Sequence, residues 1–402
     1  MSDPVATTAV QVPDRVELVK RAEGLRELLW EDAADCERER RVSARVISAM
    51  TGAGLLRLRT PRRYGGYEAD MRTLLEVAVA LGRGCCSAAW IAGVLNAGNF
   101  VASLFPPAAG DEVWGTDPDA ACALVLGLPA QDVEQADGGV VVSGEWAYVS
   151  GSLHARWVSA LIAVPTAEGR PDIHFALMPA EEITVKDTWH FAGMRGTGSN
   201  TVVADRLFVP RHRLLPYLPV LNGETDGTVD PDLPYRNSLT GLFAIGLTGS
   251  LIGGAEAALA HVRDKAPSRP VAGSAYRDQT QSPTFQLDLA DATSKIDTAK
   301  LVATRIADTV DRYARAGTNT DLHVRARNRL ESALVGRWCR EAVDTLVTAH
   351  GSASFNEANP LQRLWRDINV GSRHAGFGMG IPEQVYGRAL VGQDPRDISF
   401  IV

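Results

Sequence analysis

The sequence predicts an α+β protein of three consecutive units, because the period of its apolar residues changes twice along the 402-residue chain. Residues 1–115 carry apolar side chains at intervals of three and four, the spacing of amphipathic helices, which predicts an N-terminal helical domain. Between residues 116 and 215 the period shortens to two, which predicts a central β-domain. Helical spacing returns in residues 216–402, where three long segments and a final piece near 361–377 predict a four-helix bundle.

The same spacing divides each unit into elements. In the helical domain, the Gly/Pro-rich break RTPRRYGGYEAD separates a long helical stretch from LLEVAVALGRG and SAAWIAGVLNAGNFVASLF. Six or more short strands are expected in the β-domain: CALVLGL, GVVVSGEWAYVSG, WVSALIAVP, IHFALMP, ITVKDTWHF and TVVADRLFVP. A Pro/Gly/Asp-rich loop at residues 216–236 precedes the bundle, whose helices include LFAIGLTGSLIGGAEAALAHV.

Charge and hydropathy exclude several classes of protein. The net charge is -7, the pI is near 5.7 and no basic run is present, so nucleic acid is not expected as the main partner. The N-terminus MSDPVATTAVQVPD is polar, and no stretch of about 18 residues is both apolar and uncharged, so neither a signal peptide nor a membrane span is expected. We therefore expect a cytoplasmic protein that does not bind membranes.

Motifs for metal binding and for nucleophilic hydrolysis are missing from the sequence. The five cysteines lack CxxC spacing and Cys85 adjoins Cys86, so reduced structural thiols are expected. The eight histidines form neither an HExxH motif nor an i,i+4 pair, which predicts no metal site. A GxSxG elbow is also absent.

One strand carries an unusual polar group. By strand alternation, Trp146, Tyr148 and Ser150 of GEWAYVSG lie on one face, with Val149 opposite. A small hydroxyl flanked by aromatic residues suggests a group placed to meet a ligand. Taken alone, however, the segment from Ser150 to Ser152 is also an ordinary turn, and the aromatic rings are more often packing residues.

Four motifs in chain order resemble the acyl-CoA dehydrogenase fold. They are RYGGYEAD, GEWAYVSG, GMRGTGSNTVVADRLFVP and LQRLWRDIN. The resemblance covers nearly the whole chain and implies a helical N-terminal domain, a central β-barrel domain and a C-terminal four-helix bundle.

The position of the catalytic base separates two classes within this fold. A dehydrogenase needs a carboxylate to remove the α-proton of an acyl thioester. The resemblance places that carboxylate nine residues after Arg366 or in the first bundle helix, but the first position is Ala375 and the first acid in that helix is Glu256, far along it. His374 stands beside the vacated position, and in this the chain resembles the two-component flavin-dependent monooxygenases.

The resemblance to these monooxygenases implies their chemistry. Reduced FMN or FAD reacts with O2 to give a C4a-hydroperoxide, which survives in a dry site that offers it a hydrogen-bond donor. The substrate would be an aromatic or polyketide-type small molecule that is hydroxylated, or an amino sugar that is N-oxidised. The excess of Arg over Lys is typical of a GC-rich genome and favours natural-product biosynthesis.

The resemblance also implies site residues and partners. His374 would donate to the oxygen adduct and Ser150 would address the flavin near N5. The residues expected at the cofactor are Leu126, Gly127, Trp146, Tyr148, Ser150, Gly151 and Arg277, and those expected at the substrate are Trp90 and Asn96. Because no GxGxxG lies in a βαβ setting, a separate NAD(P)H:flavin reductase should supply the flavin. Apolar bundle helices predict a homotetramer.

Two other functions stay open at the level of sequence. An acyl-CoA dehydrogenase with a displaced base would need Glu256 or Glu383 to reach the flavin. A non-catalytic oligomeric member of the fold would bind no reduced flavin. His374 alone could also be a helix cap, and RGTGS at residues 195–199 reads as a β-turn rather than a phosphate loop, since it lacks the P-loop lysine.

Overall fold

The computed structural model describes residues 12–224, 239–399 and 401–402. Helices come first, strands follow and helices return, so the predicted fold class is confirmed. The helices are α1 Arg15–Gly24, α2 Arg26–Glu39, α3 Ala44–Gly52, α4 Met71–Gly82, α5 Cys86–Ser103, α6 Pro107–Trp114, α7 Tyr217–Asn222, α8 Leu239–Lys265, α9 Pro283–Arg315, α10 Leu322–His350, α11 Pro360–Gly371 and α12 Ile381–Leu390. The strands are β1 Cys122–Val125, β2 Gln131–Ala136, β3 Gly139–Val149, β4 Trp157–Val164, β5 Asp172–Pro179, β6 Thr184–Lys186, β7 Asn200–Pro210 and β8 Leu214–Pro216.

Helix α5 is the central element of the fold. All of its residues are buried, as expected for a helix that is apolar on every side. Close backbone contacts hold it on two sides. A Cβ on Gly93 would lie 3.0 Å from the carbonyl of Gly246 in α8, and a Cβ on Gly98 would lie 1.8 Å from the carbonyl oxygen of Cys122 in β1. Helix α5 therefore joins the bundle to the β-domain.

The β-domain consists of two four-stranded sheets. The strand orders are β1-β4-β5-β8 and β2-β3-β7-β6, and β1 pairs with β4 in parallel while the other pairs are antiparallel. The strands thus pair within two separate sheets instead of one hydrogen-bonded ring. Residues such as Val142 and Phe175 are fully buried between the strands and the helices.

The alternation of side chains predicted for strand β3 is interrupted near its end. Its register against β7 shifts between Trp146 and Val149, and Tyr148 adopts the left-handed conformation with a φ of 65°. Such a bulge turns the strand, so residues beyond it no longer alternate with those before it. Trp146 and Val149 are buried, whereas Tyr148 is 65% exposed. The prediction that Trp146, Tyr148 and Ser150 share one face is therefore wrong.

The C-terminal helices α8, α9, α10 and α11 pack against one another as the predicted bundle. A Cβ on Gly253 would lie 2.3 Å from the carbonyl oxygen of Val79 in α4, so the absence of a side chain at this position allows the two helices to pack closely. One described helical segment, Ile245–Ser268, which overlaps α8, is long and apolar enough to cross a membrane. However, 78% of its most apolar part is buried in the protein, as in a core helix.

Three further expectations can be compared with the structure. The predicted loop at residues 216–236 begins with the short helix α7, and its residues 225–236 lie outside the described residues. All five cysteines are buried and unbridged. Within the described ranges, no group of three His, Cys, Asp or Glu side chains is arranged to hold a metal ion.

Candidate active site

The structure brings three of the predicted site residues together where α5, the end of β3 and the segment after α11 meet. The indole Nε1 of Trp90 donates a hydrogen bond of 3.3 Å to the Oγ of Ser150, which is buried. The ring of His374 lies edge-on to Trp90, with 5.6 Å between the ring centroids. Trp90 therefore links the two residues that the sequence predicts to be catalytic.

A chain of hydroxyl groups extends from Ser150 away from Trp90. The Oγ of Ser150 lies 2.7 Å from the Oγ of Ser199, which lies 2.7 Å from the Oγ1 of Thr197. Thr197 in turn donates to the carbonyl oxygen of Met194 at 2.8 Å. The sequence reading of RGTGS as a turn agrees with the short 3-10 helix there, but it missed the role of these hydroxyls. The signal available in the sequence was a glycine, Gly198, with a hydroxyl residue on each side.

Asp367, from the LQRLWRDIN motif, holds this segment in place. Its Oδ1 accepts a hydrogen bond of 2.5 Å from the backbone N–H of Met194, a residue in the left-handed conformation with a φ of 52°. Burial raises the pKa of the Asp367 carboxyl to about 6. The backbone is also tight nearby, because a Cβ on Gly193 would lie 2.2 Å from the carbonyl oxygen of Arg366. Asp367 is thus a supporting residue that sequence reasoning missed.

His374 is neutral and its tautomer can be assigned. Although the residue is solvent-exposed, the protein around its ring desolvates the imidazole and lowers its pKa to about 4. The backbone N–H of Gly376 donates to Nδ1 at 3.2 Å, so Nδ1 carries no hydrogen. In the neutral ring the hydrogen then sits on Nε2. Near pH 7, His374 consequently offers one N–H donor and carries no charge.

The predicted cofactor residues near Ser150 differ in exposure. Gly151 is left-handed, with a φ of 78°, and its N–H donates to the carbonyl oxygen of Thr197 at 3.2 Å. Tyr148 is exposed and lies edge-on to the stacked rings of Trp189 and Phe191. Leu126, half-buried, and Gly127, exposed, follow the end of β1.

Two predicted residues have structural roles instead. The indole of Trp146 is 1% exposed and donates to the carbonyl oxygen of Leu161 at 2.9 Å, inside the β-domain. Asn96 is fully buried: its amide donates to the carbonyl oxygens of Leu55 and Ala92, and its Oδ1 accepts from the N–H of Arg59. Neither side chain has a free polar atom to offer a ligand, so the placement of both residues in the site is corrected.

Arg277 lies away from Ser150 and His374 within a single chain. It is exposed in the loop before α9, and the neighbouring Gln279 packs on the end of α10 by donating to the carbonyl oxygen of Ala349. Near the site, Ser372 packs against Gly336, which lies in α10 together with Ala349. Thirteen helical residues separate these two contacts, a length of about 20 Å.

The alternative bases of a dehydrogenase are already paired. Glu256 accepts from Arg83 at 2.6 Å and from Lys300 at 2.8 Å. Glu383 pairs with Arg337. Each carboxylate is thus paired with a cation from another helix.

These groups fit a flavin ring. Ser150 supplies a small hydroxyl at the site and His374 supplies an N–H donor. Tyr148 presents an aromatic ring that is 65% exposed and lies against the rings of Trp189 and Phe191. An aromatic face, a small hydroxyl and an imidazole are suited to a planar heterocycle with polar edges.

Comparison with known protein families identifies the family to which the chain belongs. Residues 21–104 match the N-terminal domain of acyl-CoA dehydrogenases, and residues 245–378 match their C-terminal domain. The two matches cover more than half of the chain. The chain therefore belongs to the acyl-CoA dehydrogenase family.

Individual relatives define its class within the family. The oxygenase component of the FADH2-dependent resorcinol hydroxylase from Rhizobium sp. is 34% identical over 97% of this chain and 98% of that protein. The oxygenase subunit HsaA from Rhodococcus jostii is 31% identical over 92% of this chain and 96% of that protein. The structure of XiaF from Streptomyces sp. with FADH2 and glycerol has a TM-score of 0.88 and 36% identity, covering 95% of this chain and 96% of that one.

The chain is thus the oxygenase component of a flavin-dependent monooxygenase, and its cofactor is reduced flavin. The paired state of Glu256 and Glu383 agrees with this class, because an oxygenase of this fold needs no carboxylate to abstract an α-proton.

Proposed function

We propose that this oxygenase hydroxylates a phenolic or indolic ring, with reduced flavin supplied by a separate reductase. The observation that carries the proposal is the continuous contact from Ser150 through Trp90 to a neutral His374. The indole ring of Trp90 therefore lies between the N–H donor of His374 and the small hydroxyl of Ser150. When bound, reduced flavin supplies the electrons that activate O2.

Each residue of the chain then has a separate task. Ser150 binds the flavin near N5, and Trp90 holds Ser150 and keeps water from it. The Nε2–H of His374 donates to the bound oxygen, which needs a donor but no cation. Tyr148 packs on the flavin ring.

Aromatic surroundings favour an aromatic substrate over a nucleotide-linked amino sugar. The ring of His374 lies between Trp90 and Phe377, at 5.6 and 5.9 Å from their centroids. A phenol or indole needs flat apolar walls and one polar contact, which these rings and His374 supply. The resorcinol hydroxylase among the relatives supports this choice, as does an indole-3-acetate monooxygenase from Pseudomonas putida that is 26% identical over 89% of this chain and 90% of that protein.

The proposal is tested by supplying reduced FMN and FADH2 with O2 to the purified chain. We expect hydroxylated product from resorcinol or a related phenol, and H2O2 without a substrate. A nucleotide-linked amino sugar should give no product. Substrate-dependent oxidation of NADH by the chain alone would contradict the need for a separate reductase, and product from the amino sugar alone would contradict the substrate class.

We also propose a homotetramer that pairs the C-terminal bundles. Helix α9 exposes Leu287 (71%) and Leu301 (69%), and the same helix lines a groove of about 710 Å³. Exposed leucines on a bundle helix are typical of an interface between subunits. A second subunit would also explain Arg277, which could then reach the flavin of its neighbour. Light scattering at micromolar concentration should give four times the mass of the chain, and a monomer would contradict the proposal.

A further inference from the structure

The hydroxyl chain next to Ser150 has two ends of fixed polarity. At one end, the indole N–H of Trp90 can only donate a hydrogen bond. At the other end, the carbonyl oxygen of Met194 can only accept one. Between them lie three hydroxyl groups, each of which has a single hydrogen to donate.

The fixed ends determine where each hydrogen points. Thr197 uses its hydrogen for Met194, so it must accept from Ser199. Ser199 has then used its own hydrogen and must accept from Ser150. The hydroxyl of Ser150 therefore donates to Ser199 and accepts from Trp90. The hydroxyl of Ser150 then has one free lone pair, which can only accept a hydrogen bond.

The reversed orientation is less favourable. If Thr197 donated to Ser199 instead, its oxygen would face the carbonyl oxygen of Met194 at 2.8 Å with no hydrogen between them. The carbonyl is fixed in position, because Asp367 binds the N–H of the same residue. It also accepts from the indole of Trp189 at 2.9 Å, which ties it to the β-domain.

We propose that Ser199 and Thr197 are positioning residues that make Ser150 an obligatory acceptor, so that the site selects reduced flavin over oxidised flavin. Reduced flavin carries a hydrogen on N5 and can donate it, whereas N5 of oxidised flavin is itself an acceptor. Two acceptors that face each other repel, and a donor and an acceptor attract. The inference rests on the proposed function, which puts Ser150 next to N5.

Three variants separate the hydroxyl orientation from packing. Ser199→Ala removes the acceptor for the hydrogen of Ser150, which is then free to turn toward oxidised N5. Thr197→Val keeps the branched shape but lets Ser199 donate to Ser150, with the same consequence. Thr197→Ser keeps the hydroxyl and is the conservative control.

The measurement is the anaerobic dissociation constant of the whole chain for oxidised and for reduced FMN and FAD. We expect the ratio of the oxidised to the reduced constant to fall about tenfold in Ser199→Ala and Thr197→Val, because one hydrogen bond changes partner. The midpoint potential of the bound flavin should fall by about 30 mV, the equivalent of tenfold for two electrons. Thr197→Ser should keep the ratio of the wild type.

The outcomes distinguish this inference from the proposed function. If the wild type binds neither form of flavin, the proposed function itself fails. If the wild type binds flavin but Ser199→Ala and Thr197→Val keep its ratio, the orientation of the hydroxyl chain does not set the preference. If Thr197→Ser loses the preference as fully as Thr197→Val, packing is responsible and the inference is overturned. Thermal unfolding of each variant identifies any that fail to fold.

Discussion

The two sides of the site are held by different means. The serine wall, which comprises Trp90, Ser150, Thr197 and Ser199, is buried and joined by consecutive hydrogen bonds. The histidine wall, which comprises His374, Gly376 and Phe377, lies in a glycine-rich segment where a backbone N–H fixes the imidazole. Nearby Met379 is 94% exposed.

This difference indicates a division of labour. A buried network with every hydroxyl engaged is preorganised, so its geometry does not have to form during the reaction. A segment with few buried contacts opens at a low free-energy cost. We expect the serine wall to fix the flavin and the histidine wall to adjust when the substrate enters. Four predictions test the comparison, from the largest expected effect to the smallest.

Removal of the imidazole should have the largest effect on the reaction. His374→Ala should lower product formation by about 10²–10³ and raise H2O2 release, because one donor to the bound oxygen is lost. Binding of reduced flavin should stay nearly intact, since the serine wall is unchanged. Product and H2O2 per flavin oxidised give both values. Full coupling of oxidation to product in this variant would show that the imidazole is structural.

Removal of the support behind the serine wall should lower stability. Asp367→Ala leaves the buried N–H of Met194 without its acceptor, which costs about 1–3 kcal/mol in the free energy of unfolding. Asp367→Asn keeps an acceptor oxygen and should cost less. Urea unfolding measures both values. Equal losses in the two variants would mean that the charge, and not the hydrogen bond, holds the segment.

Removal of the serine hydroxyl should have a smaller effect than loss of the imidazole. Ser150→Ala should lower the fraction of turnovers that give product by about tenfold, since a single hydrogen bond is lost. If both walls protect the same bound oxygen, the double variant with His374→Ala should lose less than the product of the two factors. Strictly multiplicative losses would indicate that the two walls act independently.

The smallest effect concerns the pH dependence of the histidine wall. The pKa of His374 is about 4 in the folded chain, below the ordinary value of 6.5. Between pH 4 and pH 6.5 the unfolded chain therefore binds more protons than the folded chain. Relative to His374→Gln, the wild type should therefore lose stability as the pH falls from 6.5 to 4. NMR titration of labelled histidine should show His374 neutral at pH 6. A midpoint near 6.5 would show that the ring is not desolvated.

Much of the fold and part of the candidate site could be predicted from the sequence, because they depend on the local spacing of residues. The change of period marks the helices and strands, and the motifs around Ser150 and His374 identify the class. The assignment of Asn96 was wrong although the helix containing it was right. Asn96 follows Trp90 by six residues, which is about 240° around a helix, so the two side chains face different surroundings. Tyr148 was misplaced because a bulge is not visible in an alternating pattern.

The sequence by itself determined the order of the units, the missing base and the three residues that the site brings together, Trp90, Ser150 and His374. Only the tertiary structure decided the direction of the hydrogen bonds and the role of Asp367. Trp90 and Ser150 are 60 residues apart, and Asp367 and Met194 are 173 apart. The polarity of a hydroxyl depends on which donors and acceptors surround it. Those neighbours come from distant segments, and folding alone sets them side by side.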